Sequence, residues 1–281
     1  MTVSDLKYQF QQELSEVYSL SESVELFFIF SEHLLGFNKI QLRHKSTHAL
    51  LHDDFQKFSM IIAQLKTGKP YQQIIGEAEF YGLKFFVDEH VLIPRPETEE
   101  LVDYAIGKLK DSNIERFKMI DIGTGSGVIP IVLKKYFSDA DIFAIDLSEN
   151  ALRIAQKNAD FHGLKINFLQ QDYLREGING YYDVIISNPP YIGIDEEKDI
   201  ADSVKNFEPT MALFAPDKNP LVFYEKIAED CKNNLAENGW LFLEINQKLG
   251  QETLWLYQGI LSEVKLMKDL SGNHRFIVGR K

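Results

Sequence analysis

The 281-residue chain has one cysteine, Cys231. An intramolecular disulfide is therefore impossible, a metal site built on several thiolates is excluded, and a reducing cytoplasm is the expected home. No run of about 18 apolar residues occurs, so no membrane-spanning helix is expected. Met1 to Gln9 contain Asp5 and Lys7 and lack the basic-then-apolar order of a secretory signal. Positive charge is scarce: 30 Lys and Arg stand against 42 Asp and Glu, for a net charge of −12. Arg43-His44-Lys45 and Lys134-Lys135 are short, isolated basic clusters. A protein that grips a duplex neutralises phosphates with a basic stripe, so direct nucleic-acid binding is not expected. An acidic surface suits a basic partner, because complementary fields speed encounter. The chain has no Gly-Lys-Ser/Thr phosphate loop, which argues against nucleoside triphosphate hydrolysis. No Ser-His-Asp or Cys-His arrangement can be assigned from spacing, and no internal repeat or low-complexity segment stands out.

With 44% apolar residues, the chain has material for one large core and a smaller domain. Residues 1–75 read as amphipathic helices, with helix-like apolar spacing in Val17-Tyr18-Ser19-Leu20, in Val24 to Phe30 and in Phe55 to Leu65. Gly36, Gly68 and Pro70 supply the breaks. Residues 76–96 form a linker, with a hairpin predicted from Ala78 to Leu92 that bends at Tyr81-Gly82. From Glu97 to the end, helix and strand alternate, the pattern of an α/β domain whose sheet is covered on both faces. Trp240 to Ile245 and Phe276-Ile277-Val278 are predicted late strands. His44, His48 and His52 recur every four residues, but His52-Asp53-Asp54 resembles a fresh helix start, so a shared helix face and a metal site are not expected. Glu97, Glu99 and Glu100 favour the N-terminus of the helix after Pro96 rather than paired acid chemistry.

Two stretches carry chemistry. Met119 to Leu133 reads as a strand, a Gly-rich turn (Gly123-Thr124-Gly125-Ser126-Gly127) and a helix. Glycines admit positive φ and let a nucleotide-like ligand approach the helix start. The sixth place of the loop is Val128, where a dinucleotide fingerprint has Gly, and this lowers the nicotinamide and flavin readings. A second strand, Asp141 to Asp146, ends in a carboxylate at the spacing expected for a ribose-hydroxyl acceptor. A third, Ile166 to Gln170, runs into Gln171-Asp172-Tyr173. The other stretch is Asn188-Pro189-Pro190-Tyr191, after the predicted buried strand Tyr182 to Ser187. Each Pro lacks an N–H and restrains the residue before it, so the pair makes a stiff extended shelf carrying one amide and one aromatic face. A planar nitrogen, on an amide or on a base, fits such a shelf. In an open parallel sheet the Gly loop, Asp146, Asp172-Tyr173 and Asn188 all fall at the carboxyl edge, where ligands bind.

These motifs resemble class I S-adenosylmethionine-dependent methyltransferases, a Rossmann-like α/β fold. Leu92-Ile93-Pro94-Arg95-Pro96-Glu97-Thr98-Glu99-Glu100-Leu101-Val102 narrows the resemblance to the release-factor glutamine methyltransferases, the HemK/PrmC family. Gly76-Glu77 with Phe80-Tyr81-Gly82, Glu208-Pro209 with Ala212-Leu213, and Arg275 to Arg280 also match. One departure is Gln73, where the family often has Tyr.

The resemblance implies S-adenosylmethionine as cofactor and a peptide chain release factor as protein substrate, methylated on the N5 amide of the glutamine in its Gly-Gly-Gln motif. It implies that Gly123, Thr124, Gly125, Ser126 and Gly127 run under the methionine part of the cofactor, that Asp146 accepts from the ribose, and that Asp172 and Tyr173 border the adenine. Asn188, which would also touch the cofactor, and the Pro189 carbonyl would accept from the target amide, Pro190 would stiffen the shelf and Tyr191 would close its face. Leu92 and Ile93 would be apolar walls, and the helical residues 1–75 would recognise the partner. An exocyclic amine of nucleic acid is the alternative acceptor, because Asn-Pro-Pro-Tyr alone is shared with adenine and cytosine methyltransferases. A cofactor-binding module without catalysis is a third reading.

Overall fold

The computed structural model describes every residue except 113–115, 194, 195, 197, 199, 217 and 218. Chain contacts divide it into two units: Met1–Gly76 with Ala201–Phe207, and Glu77–Ile200 with Glu208–Lys281.

The first unit is helical: α1 (Val3–Leu14), α2 (Leu20–Leu35), α3 (Lys39–His44), α4 (His52–Leu65), α5 (Tyr71–Ile75) and, from the returning segment, α10 (Asp202–Phe207). Thr2 with Asp5 and Ser19 with Glu22 form reciprocal capping boxes, each satisfying two orphan N–H groups. The second box corrects the reading of Val17 to Leu20 as helix: Ser19 is extended, and α2 restarts after it. Val3, Leu6, Phe10 and Leu14 recur at helical spacing and pack with Phe27, Phe30, Phe58 and Ile62. His44 ends α3, His48 packs edge-on against Phe37 in the loop and His52 opens α4, so the three do not share a helix face. Gln73 is buried and donates to the Phe207 carbonyl at 2.7 Å, holding the returning segment.

The second unit opens with a hairpin, β1 (Glu77–Phe80) and β2 (Leu83–Phe86), shorter than the sequence pattern implied. Then follow α6 (Pro96–Asp111), β3 (Lys118–Ile122), α7 (Val128–Tyr136), β4 (Asp141–Asp146), α8 (Glu149–Phe161), β5 (Asn167–Gln170), α9 (Tyr173–Glu176), β6 (Tyr182–Ser187), α11 (Thr210–Leu213), α12 (Val222–Asn234), β7 (Leu235–Glu244), α13 (Gly250–Tyr257), β8 (Glu263–Lys268) and β9 (His274–Arg280). The seven strands are ordered β5-β4-β3-β6-β7-β9-β8. The first five run parallel, but β9 pairs antiparallel with β7 and with β8, so the sheet is mixed. Side chains alternate between the two faces as the pleat requires. Val184, Ile186, Trp240, Phe242 and Val278 join α6 and α7 in one core, while Ile185, Leu241, Leu243 and Ile277 join α12 and α13 in the other. Order reverses between β3 and β6: the chain leaves β3 toward β4 on one side and β6 toward β7 on the other. That is the switch point at which such sheets open a ligand crevice.

Candidate active site

Strand register builds the site. Ile145 pairs with Ile122, Ile122 with Ser187, and Ser187 with Leu243. One residue further, Asp146, Gly123, Asn188 and Glu244 therefore stand in a row along the carboxyl edge, each strand about 4.8 Å from the next. Ser187 is fully buried, and its hydroxyl donates to the Ile122 carbonyl at 2.6 Å, locking β3 to β6 under the row.

The Gly loop lies over the end of β3. Gly123 and Gly125 have φ of 75° and 53°, and a Cβ at either position would meet nothing within 4 Å. Positive φ and open space together make a cradle for a ligand against bare backbone. Gly127 is different: a Cβ there would stand 3.1 Å from that of Ala155. Its place in the loop is explained by the close approach of α7 to α8, which leaves no room for a side chain at this position. The side chains of Thr124 and Ser126 are buried, so these positions offer backbone alone. Asn158, on α8 and missed by sequence reasoning, fixes the loop from behind by donating to the Ser126 and Phe86 carbonyls and accepting from the Phe86 N–H. Three bonds of about 1 kcal/mol each, one of them fully buried, make it a considerable support.

Asp146 accepts from the Gly125 N–H through one oxygen and from the Ser148 N–H through the other, both at 2.9 Å. A carboxylate has about four lone-pair sites, so two remain for a pair of hydroxyls. Burial raises the pKa of Asp146, and its backbone N–H partners oppose the rise. Leu147, the next residue, is half exposed and adds an apolar surface that the sequence reading overlooked. Asp121 lies under the loop, wholly buried, with neither carboxylate oxygen hydrogen-bonded among the described residues. Burial pushes its pKa to about 7, and the charge of Asp146 adds to the rise. A buried and a half-buried carboxyl group at an open Gly cradle favour a cationic ligand with a diol, and S-adenosylmethionine has both features.

At the other border of the crevice, Asn188 Nδ2 donates to Thr98 Oγ1 at 3.1 Å, and the Thr98 hydroxyl donates to Glu244 Oε2 at 2.6 Å. The Tyr191 hydroxyl donates to Glu244 Oε1 at 3.3 Å. Glu244 is buried, and desolvation lifts its pKa to about 7 against the pull of the Thr98 bond. Asn246 continues the support: its Nδ2 donates to the Tyr191 carbonyl at 3.1 Å and to Glu196 at 2.8 Å. Pro189 is buried and Pro190 half-buried in the shelf that results. Ahead of α6, Glu208 accepts from the Ile93 N–H at 3.0 Å and from Arg95 at 2.5 Å, which pins the Pro-Arg-Pro segment. Ile93 is itself buried and only Leu92 keeps accessible surface, so the wall assignment is corrected to Leu92.

Thr98, Glu244, Asn246 and Glu208 were not singled out as site residues. Glu244 alone carried a local signal, a charge inside the apolar run Trp240 to Ile245. Of the three acids after Pro96, Glu97 and Glu99 occupy the first turn of α6, as expected. Glu99 accepts from the Tyr81 N–H and Glu100 from the Leu270 N–H, and both bonds are structural.

Asp172 is half-buried at the same edge, 3.2 Å from Arg175. Tyr173 is not at the edge. Its ring stacks on Phe223 in the core, its hydroxyl donates to Asp230 at 2.7 Å, and burial drives its pKa upward. The Tyr173 side chain is therefore withdrawn from the ligand set.

Comparison with known proteins points to one family. The PrmC N-terminal domain model matches residues 6–76, and the methyltransferase small domain model matches residues 106–206. A release factor glutamine methyltransferase of Flavobacterium psychrophilum is 41% identical over 99% of this chain and 98% of its own. One from Bacteroides thetaiotaomicron is 37% identical over 96% and 97%. Among solved structures, a methyltransferase from Pyrococcus furiosus shares the fold at a TM-score of 0.53 and 19% identity, covering 79% of this chain and 98% of that one. With the Gly loop and the Asn-Pro-Pro-Tyr segment at the ends of adjacent strands, and relatives matching nearly end to end, this chain belongs to the release factor glutamine methyltransferase family.

Proposed function

We propose that the chain transfers a methyl group from S-adenosylmethionine to the side-chain amide nitrogen, N5, of the glutamine in the Gly-Gly-Gln motif of a peptide chain release factor. The observation that carries this reading is the fixed orientation of Asn188. Its Nδ2 is committed to Thr98, and its Oδ1 has no partner among the described residues. An amide nitrogen needs acceptors for its two N–H groups, and Asn188 Oδ1 with the Pro189 carbonyl supplies them. Pro190 keeps the shelf extended, and Tyr191, tethered to Glu244, gives it an aromatic side.

When bound, S-adenosylmethionine supplies an electrophilic methyl group on a positively charged sulfur. Gly123 and Gly125 admit the methionine part against bare backbone, with Thr124, Ser126 and Asp172 completing the edge. The two free lone pairs of Asp146 would take the ribose hydroxyls, and the exposed Leu147 would offer the base an apolar surface. The amide nitrogen of the target is a poor nucleophile, because its lone pair is delocalised into its carbonyl. The residues therefore work mainly by alignment, which can lower a barrier by roughly 7–11 kcal/mol. As nitrogen gains its fourth bond, from the methyl carbon whose bond to sulfur breaks with the electron pair left on sulfur, it becomes cationic. Its N–H bonds to Asn188 and Pro189 then become charge-assisted, stronger than in the ground state. One of these protons leaves afterwards, restoring the neutral amide.

We assign residues 1–75 to recognition of the release factor, 76–96 to the linker and 97–281 to methyl transfer. Unit one exposes Tyr8, Leu20, Ile40, Leu51 and Met60, side chains suited to a protein partner. No helix among the described residues is long and apolar enough to cross a membrane, and a cytoplasmic location suits a partner of the translation machinery. The test is transfer of labelled methyl to purified release factor, to the same factor with the motif glutamine replaced, and to mixed DNA and RNA. Label on the intact factor, lost with the glutamine, is expected. Label on nucleic acid instead would overturn the assignment.

A further inference from the structure

The chain Asn188–Thr98–Glu244 has a direction. A carboxylate only accepts, so the Thr98 hydroxyl proton points to Glu244 at 2.6 Å. The same oxygen then presents only lone pairs to Asn188, which must face it with the NH₂ end, as it does at 3.1 Å. Both Thr98 and Glu244 are buried, so water cannot substitute for either partner. Reversing the amide would place its oxygen against the Thr98 lone pairs and its NH₂ toward the target nitrogen, donor against donor.

We propose that Thr98 and Glu244 are positioning residues for methyl transfer, together holding the Asn188 amide with its oxygen toward the target nitrogen. This rests on the reading of Asn188 as acceptor shelf. The effect depends on the charge of Glu244. If Glu244 takes a proton, it can donate to Thr98, whose own proton is then released toward Asn188, and the reversed amide becomes acceptable. The groups facing Glu244 are Thr98 and Glu97 from α6, Tyr191 from the shelf, Arg275 from β9 and Tyr224 from α12. Arg275 is shared with Asp269 at 3.1 Å, so it does not form a private ion pair with Glu244. Neither Thr98 nor Glu244 lies on the Asn-Pro-Pro-Tyr motif. They reach it from α6 and β7, from positions 90 residues before Asn188 and 53 residues beyond Tyr191.

The experiment is single-turnover methylation of release factor across pH, with S-adenosylmethionine affinity measured for each variant. Thr98→Val keeps shape and removes the hydroxyl; it is expected to slow turnover about tenfold or more, the equivalent of about 1.4 kcal/mol, with cofactor affinity within about twofold. Thr98→Ser is expected to recover most of the loss. The wild-type rate is expected to fall as pH drops through about 7, and this limb to flatten in Glu244→Gln but to persist in Asp121→Asn. Asn188→Ala is the control. If it leaves the rate intact, the shelf reading fails. If it slows the reaction while Thr98→Val does not, the shelf stands and the positioning role is overturned. Equal loss in Thr98→Ser and Thr98→Val, or a cofactor affinity that falls in step with rate, would reduce Thr98 to packing and also overturn it. Should Glu244→Gln not fold, the Thr98 pair and the wild-type profile still decide.

Discussion

Replacing Asp121 by asparagine removes a carboxyl group that the fold buries with no hydrogen bond among the described residues, and its cost is legible in stability against pH. Burial raises the Asp121 pKa from 3.8 to about 7. At about 1.36 kcal/mol per unit, the ionised carboxylate destabilises the folded unit by about 4 kcal/mol. Between these two pKa values the unfolded chain has released its proton and the folded chain keeps it. The folded state therefore binds more protons, and stability falls as pH rises from about 4, levelling off above about 7. Asp121→Asn lacks this slope. Glu244, also raised to about 7, adds a similar slope to both proteins and cancels in the comparison. Any fixed penalty of the buried asparagine amide cancels as well, because only the change with pH is read. Both tryptophans, Trp240 and Trp255, lie in the second unit, so urea unfolding followed by their fluorescence reports the relevant core. Without cofactor, the variant is expected to gain about 2 kcal/mol on the wild type between about pH 5.5 and 8.5. A gap constant to about 0.5 kcal/mol across that range would refute the reasoning, since Asp121 would then ionise as in water.

The loop glycines divide into two kinds. Gly125→Ala meets open space, so it is expected to cost about 1 kcal/mol of stability from its positive φ and to weaken S-adenosylmethionine binding in calorimetry. Gly127→Ala drives a Cβ to 3.1 Å from Ala155 and is expected to lower the unfolding midpoint more than Gly125→Ala does, because helix packing must yield. Glu208→Ala leaves the partly exposed Arg95 and the Ile93 N–H without their acceptor, which is expected to cost about 1–3 kcal/mol. Increased hydrogen exchange over residues 92–98, with a raised KM for release factor, would check it.

Much of the catalytic unit was legible locally. The strand of β6 and its stop at Asn188 follow from an apolar run ended by two prolines. The Gly loop, β4 and Asp146 follow from alternation and spacing alone. Glu97 and Glu99 lie in the first turn of α6 as their place after Pro96 implies, since free N–H groups there favour negative charge wherever the helix lies, while Glu100 falls outside it. Less was legible at the edges. The hairpin is shorter than its pattern, because apolar residues beyond Phe86, such as Val87 and Val91, are buried against α8 without strand pairing. Tyr173 was placed at the edge by sequence order, but its ring finds Phe223 and its hydroxyl Asp230, neither of which its neighbours in sequence foretell.

By itself, the sequence determined the residue types that a methyl donor and an amide demand: flexible backbone, a carboxylate at a strand end, and a rigid amide-bearing shelf. These are local properties, set by φ freedom, by the missing N–H of proline and by strand periodicity. Only the tertiary structure decided which way the amide faces. Parallel register brings Glu244 beside Asn188 from 56 positions away, and the start of α6 brings Thr98 between them. No local pattern encodes such a meeting, because it depends on strand order. The hydrogen-bond direction that follows depends on a carboxylate having only acceptors to offer.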